Sequence, residues 1–498
     1  MPARPRGSKL HAPGPAHVEV QPDRVFSGRI LHRGRIIPAE LGVSEEGRIL
    51  KVAPDVRGGR RIDLGEAILV PSAIDLHVHF RDPSPPGAVE DLESGTLQAA
   101  LGGVGAVVDM PNTDPPTTTL ERLEAKESRV VGRSHVDVLL LAALQDRTRV
   151  EELAARASGF KLYMSPTTGN LAVPPGTDIR SLLERVARAG SAVHVHAEDP
   201  RLFQGDLHPS DPEGWNAKRP VRSELSAVRS LLPPPPGLLL HLAHATSAES
   251  VRVAREAGLS VEATPHHLLL HATAHQDARW KVNPPLRSRA DRDALYESFR
   301  EGWVTMLASD HAPHPLGQKE GKFEETPSGA PGVETMLPLL LSRVREGELS
   351  LPTLVRASAR RPALFLGLPR GHFSPGMEAN FLVIDFRDRR TIRARDLHAP
   401  CGWTPFEGKE GIFPREHYHL GERIVEDGEF VGGRSGRLLH RGAGRAPGPA
   451  PPAPVGRSGS PVAVPAGPFP APSLRDISPP PGPNLPSASL KVGDRRGA

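Results

Sequence analysis

The run Asp75-Leu76-His77-Val78-His79-Phe80-Arg81 sets two imidazoles two residues apart and a guanidinium two residues further on. Along a strand, residues i and i+2 share a face, so His77, His79 and Arg81 can point into one cavity. Two imidazoles so placed can grip a divalent metal, and an arginine beside them can take a carboxylate by a bidentate pair. Alone, the His-x-His pair is ambiguous, because a hydrogen-bonded histidine also packs in a core. Four more residues sharpen it: Lys161, His196, His244 and Asp310 each stand near the end of a later apolar run. Together the six would form a binuclear metal centre.

Lysine is the unexpected member, since an ammonium has no lone pair and repels a divalent cation. Desolvation lowers a lysine pKa, and the free amine can then add carbon dioxide to become a carbamate whose two oxygens bridge two metals. The alternative at this point is an ion pair between Lys161 and an inner carboxylate. Two further histidines compete for the site, His194 and His241. His196 is preferred because Ala197-Glu198-Asp199 opens the strand into a loop, and His244 because it lies nearer the strand's C-terminal end. His266, His267 and His311 read as supporting or packing residues.

These residues need a frame that brings strand ends together. Eight apolar runs alternate with amphipathic segments: AIDLH (73–77), VGAVVDM (104–110), VDVLLLA (136–142), GFKLYM (159–164), SAVHVHAE (191–198), LLLHLAHA (238–245), LSVEATPHH (259–267) and VTMLASDH (304–311). IRSLLERVARAG and SAESVRVAREAG between them read as helices, the second with Ser247 as N-cap. Eightfold strand–helix alternation implies an α/β fold of (β/α)8 TIM-barrel type, in which active sites lie at the strand C-termini. A doubly wound sheet would explain the alternation but not polar residues recurring at strand ends. The barrel is expected over residues 71–375, and the flanks 24–70 and 376–435 are expected to join as one small β-domain. Residues 1–23 read as a disordered leader without a secretory apolar stretch, and 442–498, rich in Pro, Gly, Ala and Ser, as a disordered tail.

A single cysteine, Cys401, excludes a disulfide framework, and no apolar run is long enough to span a bilayer. The expected location is the cytoplasm. A net charge of +4 over 498 residues, with scattered arginines, gives no support for a nucleic-acid partner.

The motifs resemble the dihydroorotases of the amidohydrolase superfamily, from about Val25 to Gly433: DLHVHFRDP, MPNT (110–113), GFKLYMSPTTGN, VHVHAED, HLAHATS, TPHHLLL, VNPPLR, ASDHAPH and PGVETMLPLLL. GFKLY, PGVETMLPLLL and GWTPFEG are especially similar to the dihydroorotase domain of the animal multifunctional pyrimidine-synthesis protein. The resemblance implies reversible, zinc-dependent cyclisation of N-carbamoyl-L-aspartate to L-dihydroorotate in pyrimidine (UMP) synthesis. It implies two zinc ions, one on His77, His79 and Asp310 and one on His196 and His244, bridged by carbamylated Lys161, with Asp310 also the catalytic proton carrier. Arg81, Asn112 and Asn283 would bind substrate, with His314, the backbone at Gly332, and Thr167 in a loop over the pocket. A homodimer and association with aspartate transcarbamoylase are the implied partners. One departure is visible: Ala243 stands where many relatives have cysteine. The alternatives are a hydantoinase- or allantoinase-type cyclic amidohydrolase, in which the Arg81 position is generally not arginine, and a non-catalytic scaffold, which would usually have lost metal ligands.

Overall fold

The eight runs form eight parallel strands that close on themselves. A computed structural model describes residues 21–84, 89–274 and 276–442. The strands are β1 (Ala73–Val78), β2 (Val104–Asp109), β3 (Asp137–Leu140, continued by Ala142–Ala143), β4 (Phe160–Tyr163), β5 (Ala192–His196), β6 (Leu239–Leu242), β7 (Ser260–Ala263) and β8 (Met306–Leu307). Each pairs in parallel with the next, and Val78 bridges His311 just beyond β8 to close the barrel. One strand face fills the barrel and the other meets helices, which is why β1 and β2 are buried at every position.

Local sequence starts the helices as read. Ser247 accepts from the Ser250 N–H at the head of helix Ala248–Glu256, and Asp91 and Ser94 make a reciprocal capping box ahead of Leu92–Leu101. Among the runs that stop short of expectation are β6 at Leu242, β7 at Ala263 and β8 at Leu307. Beyond β6 and β8, His244 and Asp310 have φ of 35° and 48°, a left-handed backbone that cannot continue a ladder.

β3 changes partner midway. Leu141 N–H donates to Asp109 O of β2, while Ala142 N–H donates to Gly159 O beside β4, each at 3.1 Å. The edge left open at the start of β3 is filled from the far end of the chain: Val138 N–H donates to Arg437 O, and Leu439 N–H to Val138 O, both at 2.9 Å. That strap, residues 436–439, fell between the expected β-domain and the expected tail.

The two flanks form one sheet, because Arg60–Pro71 pairs antiparallel with Phe381–Ile384, registering Phe381 with Pro71 and Ile384 with Ile68. Neither flank is large enough for a core alone, but together they bury Phe26, Ile30, Leu41, Leu69, Phe381 and Tyr418. Phe381 stacks on Tyr418 at 4.6 Å, and Phe26 meets both edge-on. Within the second flank, Ile392, Trp403, Phe406 and Ile412 pack in the large apolar cluster that also holds the barrel residues. Apart from residues 21–23 and 442, the expected leader and tail lie outside the described residues.

Candidate metal and catalytic site

At the C-terminal ends of the barrel strands three side chains converge. His77 Nε2 and His79 Nε2 lie 3.3 and 3.1 Å from the same Asp310 Oδ1, and the three residues form a group able to hold a metal ion. What points them there lies behind them. His77 Nδ1 is 2.6 Å from Glu262 Oε1; a carboxylate only accepts, so Nδ1 carries the hydrogen and Nε2 turns its lone pair into the site. His79 Nδ1 is likewise 2.6 Å from Asn112 Oδ1, whose amide is oriented by Nδ2 donating to Thr168 O. Glu262, on β7, also accepts from His241 Nε2 at 2.9 Å and from His244 N–H at 3.1 Å. No spacing rule singled Glu262 out; the only sequence signal was an acidic residue inside the apolar run LSVEA.

A second pair of donors stands beside the first. His196 Nδ1 and His244 Nε2 are 3.0 Å apart, and His196 Nε2 contacts Glu198 Oε2 at 2.8 Å. Burial lowers His77 to about 4 and also lowers His196 and His244, so the imidazoles are neutral, the form that binds metal. Asp310 behaves oppositely: burial raises its pKa, but His77 and His79 outweigh that and hold it well below the carboxylate range. Lys161, fully buried on β4, lies between the groups with Nζ 3.2 Å from His77 Nε2. It makes no ion pair among the described residues, and burial depresses its pKa to about 8. Neutral nitrogens, an ionised carboxylate and a desolvated amine are a donor set that fits a divalent metal centre.

The backbone is strained at three of these positions. Arg81, His244 and Asp310 all have positive φ, at 55°, 35° and 48°, and non-glycine residues held there concentrate at functional sites. The Arg81 Nη atoms lie 3.4 and 3.2 Å from the ring nitrogens of His314, and Nε has no hydrogen-bond partner among the described residues. Burial first, then Arg81, lowers His314 to about 3, so this neutral ring does not satisfy the guanidinium with charge.

Other expected site residues are placed less directly. Asn112 joins the cluster through His79, and Thr167 lies one residue from its contact at Thr168. Asn283 Oδ1 accepts from Trp215 Nε1 at 3.0 Å and joins no bond of the donor cluster among the described residues. Gly332 N–H donates to His311 Nδ1 at 2.9 Å, and its carbonyl accepts from Thr335 and Met336 N–H. His241, set aside in favour of His244, supports the site through Glu262, while the His194 ring nitrogens have no hydrogen-bond partner among the described residues and the ring packs on His241 and Phe365. His311 is tied to Glu90, and His267 to Thr264 and Pro284.

The model of the amidohydrolase family matches residues 68–407. A dihydroorotase of Halobacterium salinarum is 36% identical over 428 residues, covering 84% of this chain and 100% of the relative. One from Pyrococcus furiosus is 34% identical over 432 residues, covering 84% and 97%. Among solved structures, the L-hydantoinase (dihydropyrimidinase) from Arthrobacter aurescens superposes with a TM-score of 0.78 at 27% identity, covering 84% of this chain and 100% of that one. The barrel, the metal-binding group at its mouth and these relatives agree: the chain belongs to the amidohydrolase family, among its dihydroorotases.

Proposed function

We infer that the chain is a dihydroorotase, a metal-dependent cyclic amide hydrolase that opens L-dihydroorotate to N-carbamoyl-L-aspartate and closes it in pyrimidine biosynthesis. The observation that carries the substrate is Arg81, a guanidinium with no carboxylate hydrogen-bond partner among the described residues, beside a cluster of metal donors. A half-buried arginine in that state calls for an anion, and dihydroorotate brings a carboxylate that hydantoin and dihydrouracil lack. The hydantoinase likeness supports the shared fold, whereas Arg81 favours the charged ring.

In this reading His77, His79 and Asp310 would hold one zinc and His196 and His244 a second, with a carbamate on Lys161 as a ligand common to both. Burial of Lys161 supports the bridge, because a pKa near 8 leaves free amine at neutral pH to add carbon dioxide, releasing one proton. Two such ions, when bound, supply a water acidified to a pKa of about 7 and polarise the ring carbonyl. Arg81 fixes the substrate carboxylate, with Asn112, Asn283, His314, Thr167 and the backbone near Gly332 around the ring. Asp310 is the proton carrier: it accepts the proton of the attacking water and gives it to the ring nitrogen as the amide C–N bond breaks. In the cyclisation direction the same carboxylate takes the ureido proton and returns it as water leaves.

The resemblance supports a homodimer and an association with aspartate transcarbamoylase. A single, buried cysteine supports a cytoplasmic location, and among the described residues no helix is long and apolar enough to cross a membrane. The test is Lys161→Ala. Zinc content and turnover should both fall by at least the roughly 10–100-fold that loss of a mere supporting partner costs, with partial recovery in short carboxylic acids. A variant that kept two zinc ions and full turnover would refute the bridge.

A further inference from the structure

Arg219 carried no expected role, yet only 5% of it is exposed, and its partner Glu198 is fully buried. A carboxylate in that position requires donors on every side. Glu198 Oε2 accepts from His196 Nε2 at 2.8 Å and from Arg219 Nη2, and its Oε1 accepts from Arg219 Nε at 3.2 Å. The remaining donors of the same guanidinium face the loop after β4: Nη2 reaches Ser165 Oγ at 3.1 Å, and Nη1 reaches Pro166 O at 3.2 Å. The Phe203 and Trp215 rings lie close to the group, with centroids 4.4 and 5.5 Å from Cζ. The Arg219 carbonyl is pinned by Arg287.

We propose that Arg219 is a positioning residue which, through Glu198 and His196, couples the order of the loop at residues 165–170 to metal occupation of the His196–His244 pair. This rests on the metal centre described above. A guanidinium is a rigid planar fork, so it cannot follow a turning Glu198 carboxylate without also moving the loop groups on its other prongs. Metal binding fixes the His196 ring, the ring fixes Glu198, and Glu198 fixes the fork. The far side of the loop is already docked: Asn112 holds Thr168 O, and Gly169, at φ 101°, has no room for a side chain, since a Cβ would fall 2.9 Å from that of Asn112. Thr167 sits between the two attachments, so a coupling at Arg219 acts on the part of the loop nearest the substrate.

The experiment is amide hydrogen exchange of the full chain, metal-free and after addition of zinc, with bound zinc measured in the same samples. In the wild type, zinc should slow exchange in residues 165–170 by about tenfold or more. Arg219→Lys keeps a positive charge beside Glu198 but loses the fork. It should still bind zinc while most of the slowing disappears, and KM for dihydroorotate should rise about tenfold with a smaller change in kcat. Wild-type slowing in Arg219→Lys, or zinc bound by the wild type with no slowing, would overturn the coupling alone. A wild type that takes up no zinc would overturn the metal-centre reading and the coupling with it. Should Arg219→Lys fail to fold, Ser165→Ala leaves the Glu198 pair intact and removes one loop attachment: partial loss of slowing supports the coupling, and unchanged slowing counts against it.

Discussion

The two ends of the barrel each bury a cluster of charge and handle it in opposite ways. At the N-terminal end Asp137 opens β3 and accepts from Arg437 N–H, Nε and Nη2 at 2.8, 3.1 and 2.7 Å and from Arg370 Nη2 at 2.5 Å. Glu378 shares both arginines, so two carboxylates face two guanidiniums, and none of the four residues has positive φ. At the C-terminal end Glu198 and Arg219 are matched, but beside them, among the described residues, Arg81 has no carboxylate hydrogen-bond partner and Lys161 no ion pair, and three backbones are strained. Matched buried charge stabilises a fold only modestly but is costly to unmatch, whereas unmatched charge in strained backbone persists because something else is to bind there. What sets the mouth apart from the floor is the unmatched charge it keeps beside its matched pairs.

The sharpest break is at the mouth. Asp310→Asn should lower kcat by about 10²–10⁴ for the lost proton transfer alone, with weakened metal binding adding to that, while the melting temperature stays close to wild type. A loss under roughly tenfold would remove Asp310 from the chemistry. The next effect concerns the unpaired cation: Arg81→Met should cost about 2–5 kcal/mol on dihydroorotate. That is about thirty- to several-thousandfold in kcat/KM. Rates on uncharged rings should change far less, and equal losses on both would make Arg81 a scaffold residue like those of the floor.

The smallest catalytic effect should come from the best-paired charges. Arg370→Met leaves Asp137 and Glu378 short of a partner and should destabilise by about 3–5 kcal/mol. Turnover per folded molecule should stay within roughly twofold, the mouth being distant. This cluster also sets an acid limb. Burial raises the Asp137 pKa, but Arg370 and His419 outweigh it and hold the carboxyl well below its ordinary value. Glu378 is lowered as well, again by Arg370 against burial. Depressed carboxylates stabilise fully above their unfolded values of about 4, and that stabilisation is lost as pH falls through the folded values. Thermal melts from about pH 5 downward should therefore show the wild type losing stability more steeply than Arg370→Met. Parallel limbs would show that the floor does not titrate as a pair.

Much of this was legible in residue order. Strand periodicity located all eight barrel strands, and residue type picked out His77, His79 and Asp310, which converge. What was hidden depends on partners remote in sequence. Glu262 reaches His77 across 185 residues, and Arg437 reaches Asp137 across 300, so no local pattern pairs them. The early ends of β6 and β8 were hidden for another reason: a left-handed φ at His244 or Asp310 is imposed by tertiary packing, not announced by residue type. Asn112 showed only half its work, since its contact with His79 uses the amide oxygen and leaves the nitrogen for the loop.

The strap at residues 436–439 carries a consequence for how the chain is made. A ribosome releases Asp137, then every proposed ligand, and only afterwards the arginine at 437 that completes the floor of β3. Until then Asp137 lacks one of its two guanidinium partners, and the start of β3 presents an unpaired edge. The barrel is therefore finished late in translation, and a circular permutant opened between residues 433 and 436 would begin with its own closing piece in hand.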